Sequence, residues 1–345
     1  MEDLDKLILG DDRTPHYNSP FGNYIHRPHF QSVGNHFDKR DLKREEEETK
    51  KREEEAENLF DGFKLSNWLQ KLEDKTDRLS TGCRYLNQFL KGGIAPQRLV
   101  EIFGEGGTGK TQFAIQLLLN SILPTKLGGL GGKALYVFTQ KHVSEKRYNE
   151  IKDHFLEQNM GNITSEEVDK KIMMMEAFKL EEYNAIFNDI DEKIKEDNIR
   201  CLIIDNIASV CDHFINVEMT GSTVDYLERA SFLNKQSDLL RNIAYKYNIV
   251  VITLNNVVAD MMSSKEDDND PSKMYTEKFR GRNNASKPAL GIIWSTRVND
   301  RICLRRQQLS STNFKRKMLV DQSPHWPHNE MEFEVVNSGI KGLAK

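Results

Sequence analysis

Leu99-Val-Glu-Ile-Phe103 runs into Gly104-Glu-Gly-Gly-Thr-Gly-Lys110-Thr111, and Gln112-Phe-Ala-Ile-Gln-Leu-Leu-Leu119 follows without a break. A short apolar strand, a loop matching G-x-x-x-x-G-K-[ST] at every fixed position and an apolar helical segment are the strand-loop-helix unit of a phosphate-binding loop. Gly104, Gly106, Gly107 and Gly109, with Glu105 and Thr108 between them, let backbone N–H groups turn inward around a phosphate. The helix that opens at Thr111 and Gln112 adds the partial positive charge of its N-terminus. Lys110 is expected to reach the β- and γ-phosphates, and the Thr111 hydroxyl to take one position on Mg²⁺. The motif therefore implies a nucleotide polyphosphate with Mg²⁺ as its ligand pair. A glycine turn with a surface lysine would not need the flanking strand and helix.

Such a site needs a second acid at the metal. Cys201-Leu-Ile-Ile-Asp205 ends four apolar residues in an aspartate, at the strand end that faces a ligand crevice in an open α/β sheet. Asp205 is the expected metal-side acid, although an aspartate there could also cap a helix. Hydrolysis needs in addition a group that orients water onto the γ-phosphate. The strand Ala134–Thr139, expected beside the loop, is followed by Gln140, whose amide can hold a water but cannot take its proton. Binding with slow turnover is the expectation.

Outward from this site the pattern alternates. Runs at Leu99–Phe103, Ala134–Thr139, Ile172–Met175, Cys201–Asp205 and Ile249–Leu254 are separated by helix-length segments such as Thr111–Leu123, Tyr183–Glu196 and Val224–Tyr247. Short apolar strands alternating with helices predict a mostly parallel sheet covered on both faces. After Pro288, strands are expected at Leu290–Ser295, Arg301–Arg305, Lys317–Val320 and Met331–Val336, pairing antiparallel at one edge. The fold class is thus α/β, a P-loop core over 78–345.

Upstream the composition changes. Residues 1–38 carry three prolines and no helical or strand period, as a mobile tail does. In KRDLKREEEETKKREEEAE, residues 39–57, seven bases and nine acids fill sixteen of nineteen positions, which predicts a solvated helical spacer over 39–58. Over 59–77, Phe60, Phe63, Leu65, Trp68, Leu69 and Leu72 recur at helical spacing. That apolar face either packs on the following domain or places Phe60, Phe63 and Trp68 in a partner's groove.

Whole-chain composition is that of an ordinary globular protein, with 38% hydrophobic residues, 30% charged residues and a net charge of -4. No apolar run approaches the roughly 18 to 20 residues of a membrane helix, and the acidic start is unlike a targeting peptide, so no membrane partner is expected. The four cysteines form no C-x-x-C pair and are read as reduced packing residues. Total charge hides an asymmetry. Between Tyr275 and Val320 eleven Lys or Arg stand against two acids, a surplus of nine, which leaves the remainder thirteen negative charges in excess. A basic block on an acidic chain suggests a polyanion partner, unless the cations are strand-edge charges facing water.

Together these features resemble the RecA family, specifically the eukaryotic recombinase paralogues. The similarity covers about Arg78 to Leu343 and is carried by Arg78-Leu-Ser-Thr-Gly-Cys with Gly92-Gly-Ile, by Gly128-Gly-Leu-Gly-Gly-Lys-Ala-Leu-Tyr-Val-Phe-Thr, by Pro288-Ala-Leu-Gly-Ile-Ile-Trp294 with Arg301-Ile, and by Arg316-Lys-Met, Ser323-Pro and Ser338-Gly-Ile. The last two groups look most like the yeast Rad fifty-seven type. The resemblance implies a nuclear DNA-repair mediator. It would act as a heterodimer with another paralogue and help the main Rad fifty-one type recombinase hold its filament on single-stranded DNA. It also implies that Arg147 stacks on adenine, a role suited to a flat guanidinium. Two positions depart from the family: Gln140 replaces a catalytic Glu, and Asn256, in Leu254-Asn-Asn-Val257, replaces a γ-phosphate-sensing Gln. Its N-terminal DNA-binding domain and Phe-x-x-Ala polymerisation motif are not recognisable.

DNA in such a core follows two loops. The first, Cys211–Thr223, has no Lys or Arg. The second, Ala259–Lys287, is acidic in its first half and carries Lys278, Arg280, Arg282 and Lys287 with Tyr275 and Phe279 in its second. Cations that track phosphates beside rings that stack on bases suit a single strand. Arg305, Arg306, Lys315, Arg316 and Lys317 extend the patch. A DNA-dependent strand-exchange ATPase, and a scaffold with a structural nucleotide, stay open as alternatives.

Overall fold

A computed structural model describes Lys50 and residues 77–140, 143–210, 223–259, 286–310 and 314–344. The chain divides at Trp68/Leu69 into two units, and the elements below all belong to the second. The tail, spacer and linker expected over 1–38, 39–58 and 59–77 lie, apart from Lys50 and Asp77, outside the described residues.

In chain order the elements are α1 (Arg84–Phe89), β1 (Arg98–Gly104), α2 (Lys110–Ser121), β2 (Lys133–Phe138), α3 (Glu145–Gln158), α4 (Ser165–Lys171), β3 (Ile172–Glu176), α5 (Leu180–Asn188), α6 (Ile190–Glu196), β4 (Ile199–Asp205), α7 (Ile207–Val210), α8 (Thr223–Tyr247), β5 (Val250–Asn255), β6 (Val257–Ala259), β7 (Ser286–Pro288), α9 (Gly291–Ser295), β8 (Asp300–Gln308), β9 (Phe314–Gln322), β10 (Glu330–Val336) and β11 (Gly339–Gly342). The principal sheet has the order β11-β10-β9-β8-β1-β5-β4-β2-β3. From β8 to β3 every neighbouring pair is parallel, and β8, β9, β10 and β11 pair antiparallel.

The unbroken apolar runs follow from burial on both faces. Val100 and Ile102 of β1, Tyr136 and Phe138 of β2, and Cys201 and Ile203 of β4 enter a core with Phe113, Leu117 and Leu118 of α2 and Phe155 of α3. Their alternates Leu99, Leu135, Val137, Leu202 and Ile204 enter a second core with Tyr183 of α5, Ile194 of α6 and Leu240 of α8. Period-two alternation thus feeds two apolar layers at once, which is why the strands show no polar face.

Three expectations need correction. Leu290–Ser295 is not a strand: Gly291–Ser295 is the short helix α9, with Trp294 buried and Ile292 75% exposed. The segment Tyr183–Glu196 is two helices that meet at Asp189. And β2 does not lie beside the loop-bearing strand. β1 is flanked by β5 and β8, and two strands separate it from β2. Among the described residues no helix is long and apolar enough to cross a membrane.

Candidate nucleotide site

At the C-terminal end of β1 the chain turns through the glycine loop into α2. Gly104 passes so close to β8 that a Cβ would stand 2.2 Å from the Leu304 carbonyl oxygen. Gly109, at φ +113°, sets the left-handed turn that starts the helix, a conformation glycine adopts without strain. A Cβ at Gly106 would meet nothing within 4 Å, so the loop is open there. Thr108 is fully buried and its hydroxyl donates to the Glu105 carbonyl at 2.9 Å, bracing the loop from within. Lys110 Nζ donates to the carbonyls of Gly104 at 2.7 Å and Glu105 at 3.0 Å. Burial lowers the Lys110 pKa, and the negative charges of Asp205 and Glu105 oppose that shift.

Thr111 Oγ1 donates to Asp205 Oδ2 at 2.8 Å, which joins the head of α2 to the end of β4. The same oxygen accepts from Tyr136 Oη at 2.7 Å. Burial raises the Asp205 pKa, opposed by hydrogen bonds from Tyr136 and Thr111 and by the charge of Lys110. Burial and the neighbouring carboxylate push the Tyr136 phenol well above its ordinary range, so it acts as a fixed donor. A hydroxyl, a carboxylate and an ammonium gathered at one strand end are the donor set that Mg²⁺ and a polyphosphate would take.

Gln140 follows β2 and Asn256 follows β5. Thr139 ties β2 to β4: its N–H donates to the Asp205 carbonyl at 2.8 Å, and its Oγ1 accepts from Asn206 N at 2.7 Å. Gln140 therefore stands exposed at the strand end beside Asp205. Asn256 follows β5, whose Asn255 is in register with Phe103 on one side while its Leu254 pairs with Asp205 on the other. Its carbonyl accepts from Ala289 N at 2.9 Å, where β6 and β7 form a two-stranded ribbon.

Arg147, on α3, is held flat from several sides. Its Nε donates to Gln112 Oε1 at 2.5 Å, Nη1 to Glu150 at 2.8 Å and the Asn337 carbonyl at 3.3 Å, and Nη2 to the Val336 carbonyl at 2.5 Å. Arg147 thus ties the turn between β10 and β11 to the start of α2, a contact that sequence reasoning missed. It also missed Tyr136; the one available signal was a tyrosine in an otherwise apolar strand, since a buried phenol needs a partner.

Of the DNA candidates, Lys278, Arg280 and Arg282 lie outside the described residues, as do Cys211–Ser222 of the first loop and Phe60, Phe63 and Trp68 of the partner face. Lys287 falls within β7, but its side chain is not described. In the basic block several cations are already paired. Arg297 meets Asp238 at 2.8 Å, Lys315 meets Glu332 and Lys317 meets Glu330, each at 2.5 Å, and Arg301 is buried against Glu101. Arg306 lies over the Phe314 ring at 4.7 Å, and its Nη1 would stand 2.9 Å from a Cβ at Gly107.

A mostly parallel sheet covered on both faces, with a P-loop between its central strand and α2 and an aspartate at the end of β4, is a RecA-like core. The chain belongs to the Rad51 family, whose pattern it matches over residues 73–343. It is 28% identical over 277 residues to the human DNA repair protein RAD51 homolog 2, which covers 76% of this chain and 68% of that one. The DNA repair and recombination protein RadA of Aeropyrum pernix is 29% identical over 264 residues, 76% of this chain and 73% of its own. RadA of Metallosphaera sedula is 29% identical over 283 residues, 81% and 76% of the two chains.

Proposed function

We propose that this protein is an ATP-binding mediator of homologous-recombination repair, acting in the nucleus within a heteromeric recombinase-paralogue complex that stabilises recombinase filaments on single-stranded DNA. Within the family we place it with the Rad fifty-seven type, on Pro288-Ala-Leu-Gly-Ile-Ile-Trp294 with Arg301-Ile and on Arg316-Lys-Met, Ser323-Pro and Ser338-Gly-Ile. ATP would be held by the loop Gly104–Thr111, with Lys110 on its phosphates, Gln112 and Arg147 toward the base, and Thr111 and Asp205 on Mg²⁺. Bound there, Mg²⁺ would neutralise charge on the β- and γ-phosphates.

One observation carries the reading. The hydrogen bond from Thr111 to Asp205 at the loop supports reading the two as a metal-side pair, while the second residue beyond β2, where the family resemblance would put a general base, is the exposed amide Gln140. An amide can place a water but leaves its proton in place, so binding would serve assembly more than turnover. The DNA-binding residues Lys278, Arg280, Arg282 and Lys287 and the partner face Phe60, Phe63 and Trp68 complete the proposal on sequence grounds alone.

Nucleotide binding and steady-state turnover of the purified chain, with and without single-stranded DNA, test it. Lys110→Ala should abolish binding. Turnover on the order of 1 s⁻¹ or more, within the ordinary range for enzymes, would refute the mediator reading in favour of an active DNA-dependent ATPase. Co-purification from cells should return a second recombinase paralogue.

A further inference from the structure

Tyr136 occupies the middle of β2, in register with Ile203 of β4, and is 1% exposed. Its ring belongs to the core under α2 and lies 4.7 Å from the Phe138 ring, centre to centre. Phenylalanine would fill that place equally well. What the tyrosine adds is a single O–H, and that O–H is directed at Asp205 Oδ2 at 2.7 Å. Thr111 Oγ1 donates to the same oxygen at 2.8 Å. The two donors come from different elements, one from a strand inside the sheet and one from the head of α2. Together they fix the torsion of the Asp205 carboxylate, so that Oδ1 is the oxygen neither of them holds. A carboxylate that takes a metal through water needs its free oxygen aimed; one gripped by Thr111 alone would keep a degree of rotation about its Cβ–Cγ bond.

We propose that Tyr136 is a positioning residue of the Mg²⁺ site, acting through Asp205. This rests on the nucleotide reading above. Partners that orient a metal's surroundings in this way change metal affinity by about 10- to 100-fold when removed. Tyr136 would therefore set the Mg²⁺ concentration at which the nucleotide is held, without touching the nucleotide itself.

The test is Tyr136→Phe in the full chain, which keeps the ring and its packing. A fluorescent ATP analogue is titrated with MgCl₂ starting from EDTA. The variant should bind the analogue in EDTA as the wild type does and stay folded at the assay temperature, its unfolding temperature lowered only by the loss of one buried hydrogen bond, while its Mg²⁺ midpoint rises about 10-fold or more. In an Asp205→Asn background the same change should have no further effect on the midpoint, because the charge it orients is gone. A midpoint within about 2-fold of wild type, well below the expected range, overturns the proposal, as does an equal shift in both backgrounds. Wild-type protein that binds no analogue at any Mg²⁺ concentration sinks the nucleotide reading itself, and this proposal with it.

Discussion

Replacing Arg301 with methionine isolates a charge pair in the interior of the sheet. Glu101, on β1, is fully buried, and its oxygens accept from Arg301 Nε at 2.6 Å and Asn255 Nδ2 at 2.7 Å. Arg301 also donates to Asp321 at 2.8 Å and lies 4.7 Å from the centre of the Phe103 ring. Methionine keeps most of the aliphatic length, so little packing is lost. What disappears is the counter-charge of a carboxylate with no path to water, and stranding such a group costs about 3–5 kcal/mol. The half-exposed Asp321 contact adds less than about 1 kcal/mol. The expected loss is about 4 kcal/mol, a large share of the roughly 5–15 kcal/mol that holds a domain together. Adding Glu101→Gln should return most of it. The glutamine carbonyl still accepts from Asn255 Nδ2, and its amide can donate to Asn255 Oδ1, a buried acceptor without a hydrogen-bond partner. Urea denaturation followed by tryptophan fluorescence should give a midpoint well below wild type for Arg301→Met and an intermediate one for the double variant. The coupling energy should be at least about 2 kcal/mol at unchanged slope. If single and double variants are equally destabilised, the stranded charge is not the cause and the reasoning fails.

The glycine loop gives a paired prediction. Gly104→Ala drives a Cβ to 2.2 Å from the Leu304 carbonyl, well inside the 3.0 Å that real contacts respect, whereas Gly106→Ala meets nothing. The first should lose about 1–3 kcal/mol and its nucleotide affinity; the second should fold as wild type in the same denaturation assay. Turnover should respond to Gln140→Glu combined with Asn256→Gln. A restored general base is worth about 10²-fold or more, and a phosphate-release assay with single-stranded DNA that shows no gain counts against the role given to Gln140. The His325 pKa is lowered from 6.5 to about 4 by burial and by the charges of Arg98, Arg78 and Lys91. Its folded value lies below its unfolded one, so its contribution is present above pH 6.5 and lost as pH falls toward 4, by roughly 3 kcal/mol at most. Asp300, 3.5 Å away with a raised pKa, works against it. Thermal unfolding of His325→Gln between pH 7 and 4 should therefore be flatter than wild type, and an identical slope removes His325 from the account.

The turn from β1 through Gly104–Thr111 into α2, and the position of Asp205 at the end of β4, could be read from sequence because their patterns are local: a contiguous loop, and an acid that ends an apolar run. The sheet class was legible for the same reason. What was not legible depends on contacts between distant residues. Tyr136 meets Asp205 across 69 positions, Arg147 meets Val336 across 189, and Arg301 meets Glu101 across 200. No local pattern announces such pairings. The same blindness inflated the basic block. A surplus of nine was counted by position, yet Arg297, Arg301, Lys315 and Lys317 are matched by Asp238, Glu101, Glu332 and Glu330, all outside the window. Leu290–Ser295, expected as a strand, differs for another reason, since periodicity alone cannot tell a strand from a helix in so short an apolar run.

Those distant contacts have a consequence for how the site is built. The guanidinium of Arg147 is bonded along its edge to Gln112 of α2 and to the Val336 and Asn337 carbonyls. One turn further along α2, Gln116 accepts from Ile340 N at 2.7 Å and donates to the Thr81 carbonyl at 2.6 Å. Gly339 lies so close that a Cβ would stand 2.5 Å from Gln116 Oε1. The helix that presents Lys110 and Thr111 is therefore clamped by the last strands of the chain and by the segment that precedes β1. A phosphate loop can form from local sequence, but the contacts that hold Arg147 and Gln116 in place are complete only once β10 and β11 have closed one edge of the sheet. A nucleotide held by both the loop and Arg147, as proposed above, would bind the completed fold and not its parts. By mass action it should stabilise the whole core by about 2.7 kcal/mol at a hundred times its dissociation constant.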